Sequence, residues 1–212
     1  EVSKKAGVGI AVKYILDLRD FPGDPMEKHV VHDYDIILND PEVEAVIEAM
    51  GGTVPAYEFT KKLLLAGKHV VSSNKELVAK HGTELLQIAK EKSINYLFEA
   101  SVGGGIPIIR PLISSLTGND ITGIVGILNG TTNYILTQMI KNGKSFAEAL
   151  SEAQEKGYAE KDPTADVEGI DTCRKIAILA SLAYGKNVNC EKIPTEGITK
   201  ITTEDAKYAQ AM

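Results

Sequence analysis

Asp171 and Lys175 stand four residues apart in IDTCRKIAILA, so on a helix both project from one face. At its plainest, Asp171 favours the positive helix N-terminus and Lys175 pairs with it, a gain of about a few tenths of a kcal/mol. The stretch after Lys175, IAILASLA, is apolar around most of its circumference and reads as buried, which draws the charged first turn toward the interior or a cleft. A lysine ammonium so placed can donate both a hydrogen bond and a proton. Lys75, in Asn74-Lys75, follows the strand-like KHVVSS and precedes a helix; it is either a solvated loop lysine or a ligand-facing one at the carboxyl edge of a parallel sheet. Glu160, Asp162, Asp166 and Glu168 crowd into nine residues before Asp171, as a solvated acidic loop or as a site for an ammonium group. His29 and His32 lack a third convergent ligand and read as surface residues.

The glycines of ASVGGGIPII raise the question of a phosphate loop. A dinucleotide fingerprint needs G-x-G-x-x-G in the first βα turn, and here the third glycine position is Ile108 and the run follows the last strand of its half. No Gly-Lys-Ser/Thr follows either. What remains is a sharp turn between domains, or a loop whose carbonyls and amides face a ligand or cation.

These residues must be held by two kinds of architecture. Val8–Leu18 reads as a strand buried on both faces, DIIL (35–38) and AVIE (45–48) as short apolar runs, 54–66 as a helix, 68–73 as a strand, 76–92 as a helix and 94–98 as a strand. That alternation predicts an α/β fold with a doubly wound parallel sheet. Past Ile106 the pattern changes: a Pro-interrupted helix to Leu116, a strand-like ITGIVGIL (121–128), helices over 133–141, 146–155 and 170–184, an alternating ITKITT (198–203) and a helix from Glu204. The change of pattern divides the chain into 1–104 and 105–212.

With 43% hydrophobic and 25% charged residues in 212, and no long apolar run, the chain reads as a soluble protein without a membrane span. A net charge of −6 with scattered lysines argues against nucleic acid as a partner. Cys173 and Cys190 lack metal-ligand spacing, and with no leader at the start a reducing, cytoplasmic setting is expected.

Taken in order, SSNKELVAKHG, FEASVGGGIPIIRPL, GILNGTTNYI and AQEKGYAEKDPTADVEGIDTCRKIAILA resemble the homoserine dehydrogenase family over nearly the whole chain. The resemblance implies an incomplete Rossmann-type nucleotide-binding domain at 1–104 and a mixed α/β dimerisation and substrate domain at 105–212. It implies interconversion of L-homoserine and L-aspartate 4-semialdehyde with NADP or NAD, on the route to threonine, methionine and isoleucine. Lys175 matches the catalytic lysine, Asp171 the essential carboxylate of the same helix, and Lys75 the lysine beside the nicotinamide. Glu160 and Asp166 match the positions that hold the substrate's amino group and an ordered water. Glu99, Val102, Gly104 and Ile106 match those around a monovalent cation, sodium or potassium, which makes the glycine stretch a hinge and cation loop. Arg19, Gly52 and Lys75 are the expected cofactor contacts, Arg19 where a 2′-phosphate would sit. A homodimer through the second domain is implied as well. The family's first strand and GxGxxG loop are expected before Glu1 and its last segment after Met212, so a fragment is expected, weakly active or inactive by itself.

Within that reading Lys175 donates the proton, Asp171 orients it and Lys75 adds a second positive charge at the reacting oxygen. Two other classes compete. An acylating semialdehyde dehydrogenase would need a nucleophilic cysteine, and Cys173 falls roughly opposite Lys175 on the helix; a non-catalytic dimerisation fragment would need neither.

Overall fold

The computed structural model describes residues 2–212, apart from the side chain of Gln210; Glu1, which opens the first expected domain, lies outside the described residues. The chain divides into two compact units. The first comprises the chain up to Glu48 with Val54–Val71 and Glu84–Leu97, and the second Ala49–Thr53, Ser72–Thr83 and Phe98–Met212.

The first unit is α/β with parallel strand pairs, as the alternation of elements predicts. After a short helix α1 (Val2–Ala6), strand β1 (Ile15–Leu16) pairs in parallel with β2 (Val30–Val31), in the register Ile15 to Val30 and Leu16 to Val31. The expected strand over 8–18 thus shrinks to two residues. A strand exists only where a neighbour completes its ladder, and Val8, Ile10 and Val12 are each more than half exposed. The short apolar run DIIL is the body of helix α2 (Tyr34–Asn39), started by Asp33, whose side chain accepts the Asp35 N–H.

Strand β3 (Ala45–Glu48), helix α3 (Ala56–Leu65), strand β4 (His69–Ser72), helix α4 (Lys75–Glu91) and strand β5 (Tyr96–Leu97) follow. The strands lie in the order β3-β4-β5, a sheet separate from β1-β2, with β4 and β5 parallel. Leu63, Leu64, Val70, Leu85 and Ala89 are buried in this unit, which accounts for the apolar spacing of both helices.

The second unit is mainly helical. Pro111–Ser115 forms wide helical turns, and then come α5 (Gly130–Asn142), α6 (Phe146–Glu155), α7 (Thr164–Val167), α8 (Ile170–Tyr184) and α9 (Thr203–Ala211). Ile135, Met139, Ala149, Ala153, Ala159 and Val167 make its buried cluster, flanked by Tyr134 and Phe146. A capping box opens α6: Ser145 accepts the Glu148 N–H, and Glu148 reaches back to the Ser145 N–H. ITGIVGIL and ITKITT form no strand among the described residues. Their alternation marks segments able to pair, but no ladder partner stands beside them, and Val125 and Ile127 point outward at 102% and 76% exposure.

Candidate functional site

Within the second unit the charged residues singled out by spacing meet at Asp171. This aspartate lies in the first turn of α8, whose left-handed flanking residues, Gly169 and Gly185, bound a helix with Ala177, Ile178 and Leu179 buried. The apolar remainder of the helix therefore draws its first turn inward, and Asp171 is only 1% exposed. Lys175 reaches back one turn to Asp171 Oδ2 at 2.7 Å and also donates to the Leu128 carbonyl at 3.0 Å. Lys75, the first residue of α4, brings its Nζ to 2.5 Å from Asp171 Oδ1. Its side chain stays 41% exposed, against 16% for Lys175.

A buried carboxylate is therefore flanked by two ammonium groups. Burial pushes the Asp171 carboxyl up, but hydrogen bonds from Lys175, Lys75 and Asn129 outweigh it and hold the group below the ordinary carboxylate value. Asp171 is thus ionised at neutral pH. Two ammonium groups thus face one buried carboxylate, and the more exposed of them, on Lys75, opens α4 just after the loop that follows β4.

Asn74 fixes that loop. Its Oδ1 accepts the Leu77 N–H at 3.0 Å, starting α4, and its Nδ2 donates to the Gly52 carbonyl at 2.6 Å. Within the second unit the turn 49–53 and the start of α4 are thereby tied together. One residue along, Arg174 pairs with Glu76 at 3.3 Å. Consecutive residues of α4 thus make charge pairs of opposite polarity with α8.

The loop after β5 is built around Glu99. Its Oε1 accepts the N–H groups of Ile108 at 2.6 Å and Ile109 at 2.8 Å, and its Oε2 accepts that of Arg110 at 2.8 Å. Burial pushes this carboxyl up, and those amides, with the Arg110 charge, hold it below its usual value. Gly103 accepts the Ile106 N–H at 3.0 Å, and a Cβ on Gly103 would stand 2.3 Å from the Ile106 oxygen. Glycine is required there because the Ile106 carbonyl folds over the turn. Among the described residues no three His, Cys, Asp or Glu side chains converge as metal ligands. His29 and His32 instead meet the carbonyls of Lys13 and Asp17.

Residues 107–212 match the family model for homoserine dehydrogenase, and residues 6–99 that for the homoserine dehydrogenase NAD-binding domain. The chain belongs to the homoserine dehydrogenase family. It is 44% identical to a homoserine dehydrogenase of Pseudomonas aeruginosa over 100% of this chain and 49% of that protein. The crystal structure of a homoserine dehydrogenase from Thiobacillus denitrificans superposes with a TM-score of 0.89 at 41% identity, covering 99% of this chain and 49% of that one. A hyperthermophilic archaeal homoserine dehydrogenase in complex with NADPH superposes with a TM-score of 0.73 at 32% identity, over 82% of this chain and 53% of that one. The chain spans about half the length of the curated relatives it matches.

The sequence-predicted residues divide clearly. Lys75, Asp171, Lys175 and Asp166 come together, Asp166 by way of Asn129. Glu160 is exposed, and its carbonyl takes a hydrogen bond from Gln154. Arg19, in the first unit, is exposed and held by both carboxylate oxygens of Asp17. Cys173 turns to the Cys190 carbonyl, while Lys175 turns to Leu128. Asn129 and the Leu128 carbonyl were missed. The signal for Asn129 was present in GILNGTTNYI, where an Asn before Gly-Thr-Thr is a helix-starting pattern.

Proposed function

We propose that the chain contributes the proton-transfer and substrate residues of an NAD(P)-dependent homoserine dehydrogenase, which interconverts L-homoserine and L-aspartate 4-semialdehyde in the synthesis of threonine, methionine and isoleucine in the cytoplasm. Residues 1–104 are assigned to nucleotide binding and 105–212 to dimerisation and substrate. The observation that carries the reading is Asp171, buried and ionised between Lys75 and Lys175.

When bound, a nicotinamide supplies or accepts the hydride. The residues fit such a cofactor through the turn 49–53 and the start of α4, where the exposed Gly52 is tied to Asn74, the residue before the half-buried Lys75. The NADPH complex of the archaeal relative supports a nicotinamide cofactor here, NADP or NAD, with Arg19 as the group for a 2′-phosphate.

Reduction of the aldehyde places negative charge on the carbonyl oxygen. Lys175 supplies the proton to that oxygen: two of its three N–H donors are taken, by Asp171 and Leu128, and the third is left for the substrate. Asp171 orients Lys175, and Lys75 adds a second positive charge. Asp166 and Glu160 receive the substrate's ammonium group and an ordered water.

A sodium or potassium ion is assigned to Glu99, Val102, Gly104 and Ile106. One ionised carboxylate and the carbonyls of a glycine turn are hard oxygen donors of the kind such ions take. A homodimer is assigned to the second domain, supported by the outward Val125 and Ile127 of the unpaired 121–128 segment.

The test is an assay of the full-length protein with L-homoserine and NADP or NAD. Formation of reduced cofactor, unaffected by thiol alkylation, supports the reading. No turnover on homoserine refutes it, and loss on alkylation favours a cysteine-dependent enzyme.

A further inference from the structure

Asn129 occupies a position no mechanism above uses. It is 8% exposed and caps α5, where its Oδ1 accepts the Thr132 N–H at 2.8 Å and the Thr132 hydroxyl at 2.9 Å. A backbone N–H can only donate, so the side-chain oxygen must face Thr132 and the amide nitrogen must face the other way. There Nδ2 meets two carboxylates, Asp166 Oδ1 at 2.7 Å and Asp171 Oδ2 at 3.0 Å. Both donors and both acceptor positions of the side chain are thereby used, and it has no freedom to turn.

We infer that Asn129 is a positioning residue that holds the Asp166 and Asp171 carboxylates at a fixed separation, and through Asp171 aims Lys175. Two like charges would otherwise drift apart or share a proton, and a neutral side chain with two N–H donors bridges them without adding charge. Only an amide meets the three demands together: a cap acceptor on one side, two donors on the other, and no charge. In the proposed enzyme, on which this inference rests, Asp166 faces the ammonium end of the substrate and Lys175 the reacting oxygen. Asn129 then sets the span between the two ends of the substrate.

Capping and bridging separate experimentally. Asn129→Ser keeps an N-cap oxygen for Thr132 and loses both donors, whereas Asn129→Asp keeps the cap and the shape but sets a third carboxylate against the first two. In the full-length enzyme, Asn129→Ser is expected to stay folded at assay temperature but melt lower than wild type, because the buried Asp171 carboxylate loses a donor, while kcat/KM for homoserine falls about tenfold to a hundredfold. The acid limb of its pH profile, set by Asp171 between Lys75 and Lys175, moves to higher pH. Asn129→Asp is expected to lose more at neutral pH and to recover part of its activity as the pH falls. Titration of the Asp171 carboxyl by carbon NMR, without cofactor, reads the same shift. If both variants keep the wild-type pH profile, kcat/KM and Asp171 titration, or lose activity only in step with unfolding, the inference is overturned. If the wild-type protein does not turn over homoserine but Asp171 still titrates higher in Asn129→Ser, the bridge stands and the functional reading fails.

Discussion

Asp171 and Lys175 form an ion pair of 2.7 Å within a single helical turn, with side chains 2% and 16% exposed. The pair is too buried to be an ordinary surface i,i+4 contact, which is worth about 0.3–0.5 kcal/mol. Its surroundings explain why it persists: Lys75 balances the other oxygen, Asn129 donates to the same one, and Leu128 takes a second N–H of Lys175. A buried charge so compensated keeps a fixed position, as the proposed proton donor requires.

Acid should weaken the fold through this group. The folded Asp171 carboxyl lies below its ordinary value, so its contribution is fully present above about pH 4, the unfolded carboxylate range, and is lost as pH falls through the lower folded value. Denaturant midpoints measured from pH 7 downward are expected to drop below about pH 4 less steeply in Asp171→Asn than in wild type. Equal slopes would mean that the group is not held as described.

How much of this was legible beforehand differs between helices and strands. The periodicity of α5, α6 and α8 and the Ser145/Glu148 spacing specify those elements because a helix satisfies its backbone within its own segment. Segments 8–14, 121–128 and 198–203 have strand composition and no strand, since a strand needs a neighbour that the local sequence does not name. DIIL and AVIE are both short apolar runs that suit either period, and one became a helix and the other a strand; for DIIL the deciding residue is Asp33, just outside the run. In the site, the four-residue spacing of Asp171 and Lys175 could be read directly. Asn129 could not, because its partners Asp166 and Asp171 lie 37 and 42 residues away and only folding unites them.

Gly197 should not tolerate a side chain. A Cβ there would come 2.5 Å from the Val167 oxygen and 2.7 Å from the Glu168 Cα, both backbone atoms, and the neighbouring Ile198 N–H is bonded to Val167 at 2.8 Å. Gly197→Ala must push this strap off the corner between α7 and α8, next to Asp166. The expected result is a loss of about 1–3 kcal/mol in thermal or denaturant unfolding, with a raised KM for homoserine. An unchanged melting temperature and KM would show that the corner yields freely.

The capping box of α6 offers a stability measurement remote from the chemistry. Ser145→Ala removes the acceptor for the Glu148 N–H and one partner of the Glu148 carboxylate, and is expected to cost about 1 kcal/mol. Steady-state turnover should stay at the wild-type level, which separates loss of a cap from loss of the site. A large fall in kcat with no change in stability would contradict this.

In the proposed reaction Lys175, held by Asp171, delivers the proton. This step is tested most directly by steady-state kinetics of Lys175→Ala in the full-length enzyme, with homoserine oxidation and semialdehyde reduction both measured. The expected kcat is lower by about 100- to 10,000-fold in both directions, the range for loss of a positioned general acid–base group, with the KM for the cofactor little changed. Near-normal turnover by Lys175→Ala would contradict it.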